Sequence, residues 1–187
     1  MTTQTTPSWQ LDGKKVRLRA YCKEDIPTVL GYINDPEVKN NLSPGIALPY
    51  RLEDEQKWYE NLGRDPEQSY SFAIETLDTK NYIGGCGYNR IDWKNSHAIV
   101  GIFIGTQWQN KDLGTDAMNL LVQYIFSEMS LNKIALNVFS FNARAIRSYE
   151  KCGFKIEGTL RQQIFRNGQF HDEIAMGLLR SEWLKIK

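Results

Sequence analysis

The sequence predicts one α+β, or mixed α/β, domain: a central, largely antiparallel sheet of about seven strands flanked by helices. Three observations lead there. Short strand-like runs follow one another across tight turns over residues 69–104, which implies an antiparallel meander. A long amphipathic helix with apolar residues at helical spacing comes directly after the most apolar of those runs. The 187 residues contain no repeat, low-complexity stretch or linker, so they fit a single core.

Taken in order, residues 1–10 are expected to be a loose tail, with residues 11–187 as the domain. Residues 16–20 alternate apolar and basic, the pattern of a half-buried strand. Residues 25–32 read as a helix with Ile26, Val29 and Leu30 on one face, and 41–50, with two prolines and a glycine, as a loop. Residues 52–62 are predicted to be a helix that turns Trp58, Tyr59 and Leu62 inward. Strands follow at 69–75, 82–93 and His97–Ile104, separated by Asp78-Thr-Lys and Lys94-Asn-Ser turns. The last of these is almost wholly apolar and is expected to be buried on both faces. A helix over 115–129 carries Ala117, Leu120, Leu121, Tyr124, Ile125 and Met129 at helical spacing. Lys133–Phe139 is a strand, and 143–152 a helix stopped by Gly153. Two strands, 155–165 and 169–178, close the fold as a hairpin across Asn167-Gly168.

Composition excludes several function classes. The chain is 41% apolar and 24% charged, so it is not a disordered chain. A net charge of +1 gives no footprint for nucleic acid or an anionic membrane. No apolar run is long enough for a membrane span. The N-terminal segment lacks a basic-then-apolar signal pattern, and Cys22, Cys86 and Cys152 form neither a CxxC pair nor an even set. A cytoplasmic location and no disulfide framework are therefore expected. With only His97 and His171, no metal site is expected.

Two segments carry chemistry. Gln109, Asn110, Lys111, Asp112, Leu113, Gly114 and Thr115 form a loop that runs into the long helix. A helix start offers unpaired N–H groups and partial positive charge, which suit a phosphate, and Gly114 lets backbone approach a ligand. The alternative is a plain strand-to-helix turn with a Thr115 or Asp116 cap. The second segment runs from Asn142 to Phe154, with Asn142 as helix N-cap and Ala145 and Tyr149 on one face. Alone, Tyr149 would more often be a packed core aromatic than a catalyst. Gly84-Gly-Cys-Gly87 lacks the lysine and helix of a phosphate loop and reads as close strand packing.

Together these segments resemble the GCN5-related N-acetyltransferase (GNAT) superfamily over residues 16–183. Asn142…Tyr149-Glu-Lys-Cys-Gly-Phe is similar to that family's Asn…Tyr-x-Lys-x-Gly-Phe motif. Gln109 and Gly114 match its Gln/Arg-x-x-Gly-x-Gly/Ala loop, whereas Asp112 stands where the family usually has glycine. Asp tolerates a left-handed backbone better than most residues, so the loop shape can survive. The hairpin Arg166-Asn-Gly-Gln-Phe-His-Asp-Glu, the ending through Trp183, and Leu52–Trp58 are similar to the ribosomal-protein N-terminal acetyltransferase (RimJ/RimL-like) group.

The resemblance implies a sheet splayed between its fourth and fifth strands and an enzyme that transfers acetyl directly from acetyl-CoA to a primary amine. It implies that backbone near Phe103 and Ile104 pairs with the pantetheine arm, that residues 109–115 hold the pyrophosphate, and that Asn142 and Lys151 touch the cofactor. Tyr149 is implied as the acid that protonates the departing thiolate. The acceptor is expected to be a protein or peptide N-terminus, with a polyamine or aminoglycoside as alternative and a non-catalytic CoA-binding sensor as a third reading. Residues 41–50 and 165–171 are expected to line the acceptor site. For the general base, Ile99 stands where relatives often carry Glu, leaving Asp92, His97, Glu157 and Asp172. Cys152 at a helix C-terminus is expected to be structural. No nucleic-acid or membrane partner is implied, and a homodimer fits the resemblance.

Overall fold

The computed structural model describes residues 10–187. The expected loose tail therefore lies outside the described residues except for Gln10, whose backbone begins β1 (Gln10–Asp12). β1 pairs antiparallel with β2 (Val16–Arg19), giving an eight-stranded sheet instead of about seven; three residues are too few to show a period. Val16 and Leu18 of β2 are fully buried. Their basic neighbours turn to the other face, where Arg19 meets Glu75 and Asp25, each at 2.7 Å.

A 3-10 turn (Lys23–Asp25) leads into α1 (Ile26–Asn34), which buries Ile26, Val29 and Ile33. α2 (Pro36–Leu42) was not expected. Asp35 caps it by accepting the Glu37 amide at 2.8 Å, and Pro36 occupies the first turn. It buries only Val38, so no periodicity announces it. The predicted loop thus begins two residues later, after Leu42. α3 (Leu52–Asn61) follows, and Trp58, Tyr59 and Leu62 pack, as expected, on a cluster of Tyr21, Val29, Ile33, Ala73 and Tyr82.

β3 (Tyr70–Thr76), β4 (Tyr82–Asp92) and β5 (His97–Ile104) form the predicted antiparallel meander. Glycine in β4 permits close approach: a Cβ at Gly84 would run into the Phe103 carbonyl oxygen. α4 (Leu113–Glu128) runs to β6 (Lys133–Phe139), then α5 (Ala143–Lys151), β7 (Lys155–Arg166), β8 (Gln169–Leu179) and α6 (Arg180–Ile186). The hairpin turn has φ of 52° at Asn167 and 78° at Gly168, as an Asn-Gly type I′ turn requires. α6, also not foreseen, buries none of its residues; Arg180 anchors it by donating to the carbonyls of Phe126, Met129 and Leu131 at 2.6–2.7 Å.

The sheet order is β1-β2-β3-β4-β5-β6-β8-β7. All neighbours are antiparallel except β5 and β6, which run parallel and pair only at His97↔Lys133, Ala98↔Ile134 and Ile99↔Ala135. Beyond Ile99 the strands separate, which is the splay expected between the fourth and fifth predicted strands. β5 is therefore not buried on both faces. Ala98 and Val100 are buried, but Ile99 is 37% exposed and residues 101–104 are half-buried, because the gap removes their neighbouring strand on one side.

The splay joins the two sides of the sheet. Ala98, Val100, Ile134, Leu136, Val138, Met176 and Leu178 pack with α4 and α5 in the main core. Alternation then places Ile99, Gly101, Phe103, Asn137, Phe139 and Glu173 on the opposite face, the side of α1–α3.

Candidate active site

A cleft of about 760 Å³ passes through the sheet at this gap. Of the residues singled out from the sequence, Phe103, Ile104, Gln109, Asn110, Asp112, Leu113, Gly114, Thr115, Asn142, Tyr149 and Lys151 all line it; Lys111 does not. Lys111 instead donates to the Gln107 carbonyl at 2.9 Å and lies over the Trp108 ring.

The loop before α4 is shaped to present backbone donors. Asn110 has φ of 59° and Asp112, the N-cap, φ of 60°. Asp112 thus adopts the left-handed backbone in which glycine is the usual residue. The Gln109 amide is used by the Thr106 carbonyl at 3.2 Å, and its side chain donates to the Ile104 carbonyl at 2.9 Å, tying the loop to the end of β5. Its other side-chain atom, Oε1, is buried without a partner among the described residues. The amides of residues 110–115 donate to no protein acceptor among the described residues. Such a row at the start of a 16-residue helix is an anion cradle. An acetyl-CoA pyrophosphate fits it by charge and by donor chemistry.

Asp112 does not leave a bare negative charge at this cradle. Its carboxylate accepts from Lys151 at 2.9 Å, and that ion pair holds it below the usual carboxylate range. Lys15 donates to the Lys111 carbonyl at 2.9 Å. The Asp116 carboxylate pins the β1–β2 turn onto the helix start by accepting the amides of Lys14, Lys15 and Val16 at 2.7–3.2 Å.

α5 supplies the adjoining wall. Asn142 caps it by accepting the Ala145 amide at 3.1 Å. Ser148 and Thr115 share a 2.8 Å hydroxyl contact that joins α5 to α4. Tyr149 is buried, edge-on to Phe154, and its hydroxyl has no hydrogen-bond partner among the described residues. Burial, with a smaller contribution from Cys152, pushes that hydroxyl up to about 12, so it stays protonated throughout the working pH range. Cys152 is likewise pushed up to about 12 by burial, and its thiol donates to the Thr115 carbonyl at 3.6 Å. It is a packed thiol, as expected from its place at a helix C-terminus.

On the α1–α3 side the cleft is walled by Glu37, Val38 and Asn41 of α2, Trp58 of α3, Tyr21, and Glu173 of β8. Glu37 is paired with Arg144 at 3.0 Å, an ion pair that links α2 to α5 across the cleft. Arg166 donates to the carbonyls of Ser43 and Gly45, fastening the loop after α2 to the β7–β8 hairpin.

None of Asp92, His97, Glu157 and Asp172 lines the cleft. Asp92 is held in a turn by Asn95, Glu157 is paired with Lys133 at 2.6 Å, and Asp172 accepts the Gln162 amide at 2.8 Å. Four charged residues that line the cleft, Glu37, Arg144, Arg147 and Glu173, carry no role in the sequence analysis. Glu173 was discoverable. Ile174, Met176 and Leu178 mark the core face of β8, which sends the odd-numbered residues to the other side.

Residues 15–155 match the family model described as acetyltransferase (GNAT) domain. The spermidine N(1)-acetyltransferase of Escherichia coli K12 is 37% identical over 177 residues, spanning 90% of this chain and 88% of its own. A spermidine N-acetyltransferase of Vibrio cholerae, solved in complex with CoA and spermine, superposes with a TM-score of 0.81 at 28% identity, covering 90% of this chain and 98% of its own. YdaF of Bacillus subtilis, provisionally named a ribosomal N-acetyltransferase, is 31% identical over 54% of this chain and 55% of its own. With the family match running from Lys15 through Lys155 and the free amide row at its expected place, the chain belongs to the GNAT acetyltransferase family and is an acyl-CoA-dependent N-acetyltransferase whose co-substrate is acetyl-CoA.

Proposed function

We propose that the acceptor is a small primary alkyl amine of the polyamine kind. The observation that carries this reading is the cleft running through the β5–β6 gap, with the amide row and Tyr149 against α4 and α5 and, on the other face, the α2–α3 side of the same cleft. That side is bounded by α2, Trp58 and the loop fastened by Arg166, which suits a slender acceptor. The spermidine acetyltransferases that align over nine-tenths of the chain support the same choice.

In this reading acetyl-CoA supplies an acetyl thioester, and the chain's own groups do the rest. The amides of residues 110–115 hold the pyrophosphate, and Lys151 and Asn142 border the cofactor. Backbone freed on β5 near Phe103 and Ile104 receives the pantetheine arm in the manner of an added strand, and an amide there polarises the thioester carbonyl. The neutral amine forms its C–N bond as the C–S bond breaks. Tyr149 donates its proton to the departing sulfur, and the proton lost from nitrogen leaves to solvent.

The test is CoA release against spermidine, spermine, diamines, aminoglycosides and peptides with free N-termini. Polyamine turnover well above peptide turnover is the expected result. A protein N-terminus as acceptor, to which the C-terminal hairpin motif points, predicts the reverse order. Turnover of peptides alone would overturn the polyamine reading.

A further inference from the structure

Three acidic side chains line the cleft, and two are already neutralised: Asp112 by Lys151 on the cofactor side and Glu37 by Arg144 at its edge. The third, Glu173, is only 9% exposed and has neither a hydrogen bond nor an ion pair among the described residues. Its side chain lines the cleft, and an unpaired carboxylate in so confined a place attracts a cation. The nearby guanidinium of Arg166 does not pair with it. It stacks over the Phe139 ring at 6.0 Å and gives its hydrogen bonds to the Ser43 and Gly45 carbonyls. A cation brought by the substrate supplies the missing partner.

The position of Glu173 separates that cation from the reacting nitrogen. Attack takes place at the β5–β6 gap, where Tyr149 borders the cleft. Glu173 lies on β8, beyond β6, opposite Phe139. It is therefore displaced from the gap by about one strand spacing, some 5 Å. A charge there meets a second amine of the acceptor, one short alkyl spacer from the amine that attacks.

We infer that Glu173 is a specificity-determining residue that binds the ammonium of a diamine or polyamine distal to the acetylated nitrogen, so that the enzyme selects acceptors carrying two amines. This deepens the polyamine reading and rests on it. It also separates Glu173 from acid–base chemistry, since the bound ammonium keeps its proton.

The experiment compares 1,4-diaminobutane and spermidine with n-butylamine, using wild type, Glu173→Gln and Glu173→Asp, with melting temperatures recorded to confirm folding. Losing a charge-assisted contact costs about tenfold to a hundredfold in affinity. Glu173→Gln should lower the diamine-over-monoamine preference by that factor, carried in KM, while Glu173→Asp restores part of it. Spermidine should raise the melting temperature of wild type more than that of Glu173→Gln. An unchanged preference in Glu173→Gln overturns the inference, as does a fall in kcat on all amines with an altered pH profile, which would make Glu173 the base. If wild type acetylates peptides and no diamine, the polyamine reading itself fails; if it acetylates polyamines with no dependence on residue 173, only the role of Glu173 fails.

Discussion

The Asp112 carboxylate meets the Lys151 ammonium at 2.9 Å beside the row of free amides that opens α4. One residue departs from the glycine usual at its position and the other belongs to a motif expected to contact cofactor, yet each neutralises the other. Asp112→Gly removes a left-handed non-glycine residue, whose backbone costs about 1 kcal/mol, and frees Lys151 for phosphate. Calorimetric titration with acetyl-CoA should show tighter binding than wild type, with the fold retained. Weaker binding would show that the ion pair shapes the cradle.

Gly114 tests the cradle without touching charge. A Cβ added there would sit 3.4 Å from the Ile104 side chain, a tight contact that a small shift relieves. It would also stand among the free amides of residues 110–115. Gly114→Ala should therefore keep its melting temperature within a few degrees and weaken acetyl-CoA binding by about tenfold, the loss of roughly one charge-assisted contact. Equal loss of stability and binding would mean that the residue serves packing alone.

Tyr149→Phe removes the proposed proton donor while retaining the ring that packs on Phe154. A fall in kcat of about a hundredfold is expected, the lower end for a general acid. Because burial lifts the hydroxyl to about 12, wild type should show no descending limb from this group below pH 10. Its profile should rise with deprotonation of the acceptor amine and then level. A descending limb near pH 8 that disappears in Tyr149→Phe would contradict the raised value, and an unchanged kcat in that variant would contradict the role of acid.

The Arg19–Asp25–Glu75 network ties β2 to the turn before α1 and should govern acid stability. Burial alone would raise the Asp25 value, but the Arg19 hydrogen bonds and the Cys22 amide outweigh it and leave it lowered. A carboxyl with a lowered folded value contributes stability above the unfolded value of about 3.9 and loses it as pH falls through the folded value. Asp25→Asn should cost about 3 kcal/mol at pH 7, the lower end for opening a buried pair, since Glu75 still faces Arg19. Urea unfolding at pH 7 and pH 3 checks this, and the gap between wild type and variant should narrow at the lower pH.

Much of the fold was legible because its longer elements carry a clear period. Lys133–Phe139 was read to the residue, and α4 was read within two residues at its start, where Asp112 begins the helix earlier than the apolar pattern does. β1, α2 and α6 were missed for a common reason: they span three to seven residues and bury at most Val38 among those described, too little for any repeat to appear. In the cleft, the α4–α5 wall was legible because Asn142, Tyr149 and Gly114 lie in two short continuous motifs. The opposite wall comes from α2, α3 and β8, which only the fold brings together. His171-Asp-Glu173 shows the limit well. Neighbouring acids on one strand point to opposite faces, so naming Asp172 and missing Glu173 was a choice of face, decided by where Met176 and Leu178 are buried.

In the proposed reaction acetyl crosses the β5–β6 gap from CoA to a small amine. This transfer is tested most directly by mass spectrometry of spermidine incubated with acetyl-CoA and this protein, with released CoA counted in parallel. One acetyl group on a primary amine for each CoA released is the predicted result. Tight acetyl-CoA binding without acetylation of spermidine or any other amine would contradict it.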